Sequence, residues 1–93
     1  MIKILNIDPL PNYKLHIKYN NGVEGDIDLS ELVGKGVFEK FNDIAFFNKV
    51  WIGETGAPTW GNELDIDAIN TYLRITGKSI EQFINEEKTN ANN

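Results

Sequence analysis

Two stretches of alternating apolar and polar residues, joined by an Asn-Asn-Gly turn, constrain the fold of this chain more than any other feature. Residues 13–19 and residues 23–29 each place apolar side chains on one face and polar or charged ones on the other. A period of two is typical of half-buried strands, and a short glycine-containing loop between two such strands predicts a hairpin.

The register of this hairpin follows from matching its faces, because a slip of one residue would set apolar side chains opposite charged ones. A loop over residues 20–22, with Gly22 in the left-handed conformation, achieves the match. The core face then pairs Tyr19 with Val23, Ile17 with Gly25, and Leu15 with Ile27. The outer face pairs Lys18 with Glu24, His16 with Asp26, and Lys14 with Asp28. Each outer pair is expected to contribute about 0.2–1 kcal/mol.

Three further strands are predicted. Residues 2–7 are rich in isoleucine and leucine, and Pro9 and Pro11 are expected to end that strand. Residues 50–52 and 57–60 indicate two more strands around a Glu-Thr-Gly turn. Because Pro58 cannot donate to a ladder, it indicates that the second of these is an edge strand or begins irregularly.

The main helix is predicted from Asp65 or Asp67 to Thr76, where apolar residues recur at helical spacing and Gly77 is the stop signal. Ser79-Ile80-Glu81-Gln82 has capping-box spacing and begins a shorter amphipathic helix. Two short helices are expected earlier: one over residues 31–33 capped by Asp28 or Ser30, and one ending at Asn48 capped by Asn42 or Asp43.

These elements predict an α+β fold, with a small antiparallel sheet of about four to five strands packed against short helices and one main C-terminal helix. A chain of 93 residues has material for one hydrophobic core. We therefore expect a single α+β domain over residues 1–77, a short amphipathic helix over 78–87, and a disordered tail over 88–93.

The charge and the cysteine content of the chain exclude or disfavour several classes of function. The net charge is −5 and no basic stripe exists, which disfavours nucleic-acid binding and docking on anionic membranes. Cysteine is absent, so disulfides and thiolate chemistry are excluded. The first residues lack the pattern of a signal peptide, and no apolar run is long enough to span a bilayer. We therefore expect a cytoplasmic, bacterial-type protein.

The order of motifs resembles a known family. A strand, a proline-containing connection, Tyr13-Lys14-Leu15, an Asn-Gly turn, Asp28-Leu29-Ser30, a Phe-rich short helix and Trp60-Gly61-Asn62-Glu63-Leu64-Asp65-Ile66 follow one another. In this order the chain is similar to the small bacterial domain-of-unknown-function family 2442, over roughly residues 2–73.

That resemblance implies a compact α+β domain with an antiparallel sheet, sometimes fused to a helix-turn-helix DNA-binding domain. It also implies frequent operon pairing with another small family of unknown function, numbered 4160, in a toxin–antitoxin-like relationship. We do not expect the fused form here, because the sequence after Gly77 is too short for a helix-turn-helix. It carries Asp67 where many relatives have proline or serine, a change that a helix cap tolerates.

Several residues carry groups that could support chemistry, and a structural role is favoured for each. His16 with Asp26 and Asp28 forms a charge ladder, because a second histidine for a metal site is missing. Gly34-Lys35-Gly36 lacks the remainder of a phosphate-binding loop, and we expect it to form a loop that ends the preceding short helix. We therefore predict no catalytic, cofactor-binding or metal-binding residues.

Trp51 and Trp60, with Phe46 and Phe47, are the most suggestive group, since aromatic residues dominate both cores and binding hot spots. A core role is favoured in a domain of this size. Of the two tryptophans, Trp60 is expected to be the more exposed, because it lies in a turn-rich stretch. If exposed, it would anchor a partner or ligand.

The leading hypothesis is a non-enzymatic protein-interaction or regulatory module, antitoxin-like, whose partner is a small basic protein. Its predicted partner-binding residues are Trp60, Asn62, Glu63 and Asp65. The alternative is a small ligand-binding protein or enzyme with its site near Trp60, Glu63 and Asp65, which would require carboxylates held in a pocket. Homodimerisation through an edge strand is compatible with either hypothesis.

Overall fold

The computed structural model describes the backbone of residues 1–91 and the side chains of residues 1–88. Its α+β architecture agrees with the sequence prediction, and its strands form two antiparallel sheets of three strands each rather than one larger sheet. The strands are β1 (Ile4–Leu10), β2 (Lys14–Tyr19), β3 (Glu24–Asp28), β4 (Trp51–Ile52), β5 (Pro58–Trp60) and β6 (Leu64–Asp65). The α-helices are α1 (Ile44–Phe47), α2 (Ala68–Thr76) and α3 (Ile80–Ala91), and two 3₁₀ helices cover Ser30–Leu32 and Gly36–Asn42.

The first sheet has the order β1-β2-β3 and contains the predicted hairpin in the predicted register. Gly22 adopts φ 89°, and the Tyr19 amide donates to the Val23 carbonyl at 2.8 Å across the loop. Leu15, Ile17 and Tyr19 are completely buried on the core face. Matching the two faces of the alternating stretches therefore located both the turn and the pairing correctly.

The first strand ends later than predicted, directly before the second of the two prolines that were expected to end it. Strand β1 continues through Pro9, which pairs with Leu15, and ends at Leu10. It lies at the edge of the sheet, where a missing backbone N–H is tolerated because it need not belong to the ladder. The chain turns at residues 11–13 instead, where Asn12 and Tyr13 both adopt positive φ, at 64° and 62°.

The second sheet has the order β4-β5-β6, so β5 is its central strand and not an edge. Pro58 is the first residue of β5, a position that proline tolerates, so the irregular start is the correct one of the two predicted alternatives. Strand β6 was not predicted. It occupies part of the stretch where the main helix had been expected to start, because Asp65 pairs with Thr59 in the sheet.

The helix boundaries follow from side-chain caps. Asp67 caps α2 by accepting from the Ile69 amide at 3.3 Å, and Gly77 ends the helix at φ 74°. Asp43 caps α1 through the Ala45 amide at 3.0 Å. The 3₁₀ helix Ser30–Leu32 differs from the prediction, because its N-cap position is Leu29, which forms no side-chain cap, and not Asp28 or Ser30. Asp28 still accepts from the Ser30 amide at 2.9 Å, at the first residue of that helix.

Helix α3 begins at the predicted capping box and is longer than expected. The Ser79 amide donates to the Gln82 side chain at 2.8 Å, and the Gln82 amide donates back to the Ser79 hydroxyl at 3.1 Å. The helix reaches Ala91, where the sequence predicted a helix over 78–87 and a disordered tail over 88–93. Residues 92 and 93 of that tail lie outside the described residues.

The core lies between the sheets and helices and is centred on aromatic rings. The Phe41 ring is 4.7 Å from Trp60 and 5.1 Å from Phe47, measured between ring centroids. On the other side, α2 packs against β3, where Ile75 lies directly over Gly25. Within residues 1–91, none of the helices has both the length and the hydrophobicity that crossing a membrane requires.

Candidate functional site

A cleft of about 600 Å³ opens between the second 3₁₀ helix with α1 and the turn that joins β5 to β6. We refer to it as the β5–β6 cleft. Its lining residues are Val37, Lys40, Phe46, Trp60, Gly61, Asn62, Glu63, Leu64 and Asp65. All four residues predicted from the sequence to bind a partner are therefore brought together at one concave surface.

One wall of the cleft is a tight turn between paired strands. Trp60 pairs with Leu64, so Gly61, Asn62 and Glu63 form the loop, and Gly61 adopts φ 64°. This conformation favours glycine because it has no Cβ to clash. The side chains of Asn62 and Glu63 are exposed at the tip of the turn. The turn thus presents polar groups to solvent at the mouth of the cleft.

The expectation that Trp60 is the more exposed tryptophan is wrong. Trp60 is 1% exposed, and its indole N–H donates to the Phe47 carbonyl at 2.8 Å. Its position in a central strand directs the ring into the aromatic core. Trp51, in the edge strand β4, is 45% exposed, and its indole N–H donates to the Gly61 carbonyl at 3.1 Å. Trp51 is thus held beside the cleft by the turn that forms the cleft wall.

Trp51 and Asp65 belong to one row across the second sheet. Thr59 pairs with Trp51 on one side and with Asp65 on the other, so the three residues share a sheet face. Trp60, the next residue along β5, points to the opposite face and into the core. The exposed indole and the carboxylate therefore lie on the same side of the molecule.

The opposite wall carries apolar groups and one cation. Val37 is 70% exposed, Phe46 is half-buried, and the Lys40 ammonium lies 5.9 Å from the centroid of the Phe46 ring. Sequence reasoning had not assigned these residues to a site. The one signal in the sequence is that Val37, an apolar residue, directly follows the glycine-rich segment Gly34-Lys35-Gly36. Neighbouring glycines have no side chains that could bury Val37, so an exposed apolar group could have been expected there.

The carboxylates of Glu63 and Asp65 are exposed, and neither forms a salt bridge within the side chains that the structure describes. A carboxylate that acts in general acid–base catalysis usually lies in a pocket shielded from water, which is not the case for these two residues. Two solvated carboxylates at the mouth of a cleft are instead suited to attracting a cationic group. This geometry favours binding over catalysis.

His16 lies elsewhere, on the outer face of the first sheet. Its Nδ1 is 2.6 Å from Asp26 and its Nε2 is 3.0 Å from Glu24. These two carboxylates, with Asp26 the stronger influence, raise the pKa of His16 above its ordinary value. Because both ring nitrogens face carboxylate oxygens, the protonated ring donates to both. The residue therefore acts as a cross-strand clip between β2 and β3.

The predicted charge ladder is confirmed in its register but only partly in its contacts. His16 pairs with Asp26 as expected, whereas Glu24 bonds to His16 and not to Lys18, its directly opposite neighbour. In the part of the chain whose side chains are described, Lys14 and Lys18 form no ion pair. Glu24 bonds to His16, its diagonal neighbour, because one imidazolium donates well-directed N–H groups to two carboxylates. The exposed Lys18 ammonium stays hydrated instead.

The family described as "Protein of unknown function (DUF2442)" matches residues 4–82 of the 93-residue chain. No curated protein matches the chain significantly. No solved structure matches it significantly either.

Proposed function

This chain belongs to the family of proteins of unknown function DUF2442, and we propose that it is a non-enzymatic protein-interaction module that uses the β5–β6 cleft. The partner it binds is a small basic protein, of which a short segment occupies the cleft. The carrying observation is that the exposed residues Glu63 and Asp65 and the exposed apolar residue Val37 line one concavity.

The composition of the cleft supports a polypeptide ligand. Binding hot spots combine apolar contacts at the centre with polar groups at the rim. Here Phe46 and Leu64 supply half-buried apolar surface, and Asn62, Glu63 and Asp65 supply the polar rim. A volume of about 600 Å³ accommodates a few side chains, which is the footprint of a short segment and not of a whole domain.

Charge supports a basic partner. The chain has 14 acidic against 9 basic residues, and two acidic residues and one lysine line the cleft. An acidic surface accelerates association with a basic protein and disfavours acidic competitors. The operon habit implied by the family resemblance makes a neighbouring small protein the first partner to test, in a bacterial cytoplasm and in an antitoxin-like role.

The test is selection of a random peptide library on the immobilised protein, followed by affinity measurements for the enriched peptides. We expect enrichment of peptides that combine apolar and basic residues. Val37→Lys and Asp65→Lys should each weaken their binding by about tenfold or more, since each places a positive charge in the cleft, where it repels the basic residues of the peptide.

Matched controls separate the cleft from general surface effects. Ile80→Lys adds the same charge at another exposed apolar position, and Glu81→Lys reverses an exposed carboxylate on α3. Both control variants should bind the peptides as tightly as the unmodified protein. Absence of enrichment, or equal loss of binding in the cleft and control variants, would contradict the proposed function.

A further inference from the structure

We infer that the bound segment of the partner is extended and pairs with β6 as a fourth strand of the second sheet. This inference rests on the proposed function and specifies the backbone conformation and the residue pattern of the segment. It follows from the position of β6 at the edge of the sheet, where both of its residues line the β5–β6 cleft.

The main-chain groups of Asp65 point away from the sheet. The Ile66 amide donates to the Pro58 carbonyl at 3.0 Å. Hydrogen-bonded and non-hydrogen-bonded pairs alternate in an antiparallel ladder, so the next pair, Asp65 with Thr59, is a non-hydrogen-bonded one. The N–H and C=O of Asp65 are therefore directed to the outer side of β6. Within residues 1–91, neither group has a hydrogen-bond partner, and no strand pairs with that side of β6.

The cleft extends to this open edge. Leu64 pairs with Trp60 and shares its core face, whereas Asp65 lies on the opposite face of the sheet. Residues from both faces of β6 nevertheless line the cleft. An added strand would direct alternate side chains to the two faces. Those on the face of Leu64 would enter the concavity that Val37 and Phe46 also line.

The charge along the edge favours a basic segment over a second copy of this chain. Glu63, Asp65 and Asp67 are exposed and alternate with the half-buried Leu64 and Ile66. Pairing of two such edges would bring carboxylates of one copy close to those of the other, which is unfavourable. A segment with lysine or arginine at every second position would instead place cations beside these carboxylates and apolar side chains in the cleft.

The library-selected peptides test the pairing. We expect apolar and basic residues to alternate in them. Methylation of single backbone nitrogens of a peptide removes one N–H at a time, and successive N–H groups of a strand point to opposite sides. Methylation should therefore weaken binding by about tenfold at every second position of the paired segment and have little effect at the positions between.

The Asp65 amide provides a second readout. Asp65→Pro removes this N–H, which the fold tolerates because the group lies outside the ladder, whereas Asp65→Asn removes only the charge. Asp65→Pro should weaken binding by about tenfold more than Asp65→Asn does. In the unmodified protein, hydrogen exchange of the Asp65 amide should slow when the peptide is added.

A methylation series without alternation, or equal losses in Asp65→Pro and Asp65→Asn, would overturn this inference. The proposed function would still stand if Val37→Lys and Asp65→Lys weaken binding. Peptides whose binding ignores both of those variants would overturn the proposed function itself. A dimer of the protein that Asp65→Pro converts to a monomer would also overturn the inference, because the edge would then belong to a second copy.

Discussion

The Tyr19 hydroxyl has one hydrogen-bonding arrangement open to it. The Thr71 hydroxyl donates to the Ala68 carbonyl at 2.7 Å, which uses the one proton that it carries. Tyr19, 2.6 Å from the same oxygen, must therefore be the donor of that bond. Tyr19 is completely buried, and burial raises its pKa to about 12. This two-bond chain links the central strand β2 to helix α2 through the core.

The direction of the bond predicts unequal effects of two substitutions. Tyr19→Phe removes a donor and leaves Thr71 bonded to Ala68, so we expect a loss of about 0.5–1.5 kcal/mol in the free energy of unfolding. Thr71→Val leaves the buried Tyr19 hydroxyl without an acceptor, which should cost about 1–3 kcal/mol. Urea denaturation of both variants measures the difference. A larger loss for Tyr19→Phe would contradict the assigned direction.

His16 makes the stability of the first hairpin depend on pH. Its pKa is raised in the folded protein, so its favourable contribution is complete below the unfolded value of about 6.5 and is lost as pH rises through the folded value. The pair is partly exposed and screened by solvent. We therefore expect the full contribution to stay below about 1 kcal/mol.

The corresponding experiment compares the unmodified protein with His16→Gln in urea at about pH 5.5 and about pH 8.5. The difference in unfolding free energy should be larger at the lower pH. Lys18→Gln, on the same strand, is the control, because lysine does not titrate in this interval. A difference that is constant with pH, or that grows as pH rises, would refute the role given to His16.

At the level of single residues, local sequence separates core from surface in long strands but not in short ones. Leu15 and Ile17 were predicted correctly because several alternations in a row define a face. The exposure of Trp51 and Trp60 was predicted in the wrong order. Their strands have two and three residues, too few to define a face, so the packing of the sheet decides which ring is buried.

Between elements, the contact of α2 with β3 depends on the absence of a side chain at Gly25. A Cβ added there would lie 2.7 Å from Cγ2 of Ile75, closer than real contacts allow. Gly25→Ala should therefore displace the helix and lower the free energy of unfolding by about 1–3 kcal/mol. Denaturation of the single variant measures this cost.

A double-mutant cycle identifies the cause. Ile75→Ala removes the methyl group that the new Cβ would meet, so Gly25→Ala should cost much less in the Ile75→Ala background than alone. Chain entropy or strand propensity at position 25 would give the same cost in both backgrounds. Additive losses would therefore show that the close contact is not responsible.

The elements themselves were predictable to different degrees. The β2–β3 hairpin was predictable from the sequence, because its two faces, its charges and its glycine turn all indicate one register. Strand β6 was not predictable, because Leu64 and Asp65 have no strand pattern of their own. They form a strand only by pairing with Trp60 and Thr59 of β5. Such pairing is a tertiary effect that a local pattern does not contain.

At the scale of the whole molecule, the cleft joins parts of the chain that are distant in sequence. The predicted residues, selected from their turn and their carboxylates, were Trp60, Asn62, Glu63 and Asp65. The lining residues Val37, Lys40 and Phe46 were not assigned to any site. Their position depends on the packing of the second 3₁₀ helix and α1 against the second sheet. One wall of the site could thus be predicted from sequence, and the other required the fold.

The measurement that tests the central claim most directly is a map of amide chemical-shift changes when a library-selected peptide is added to the isotope-labelled protein. A cleft-binding module predicts that the largest changes fall within residues 36–47 and 60–65, together with Trp51. Changes centred instead on the exposed face of α3, at Ile80 and Ile84, would contradict the claim that the β5–β6 cleft is the binding surface.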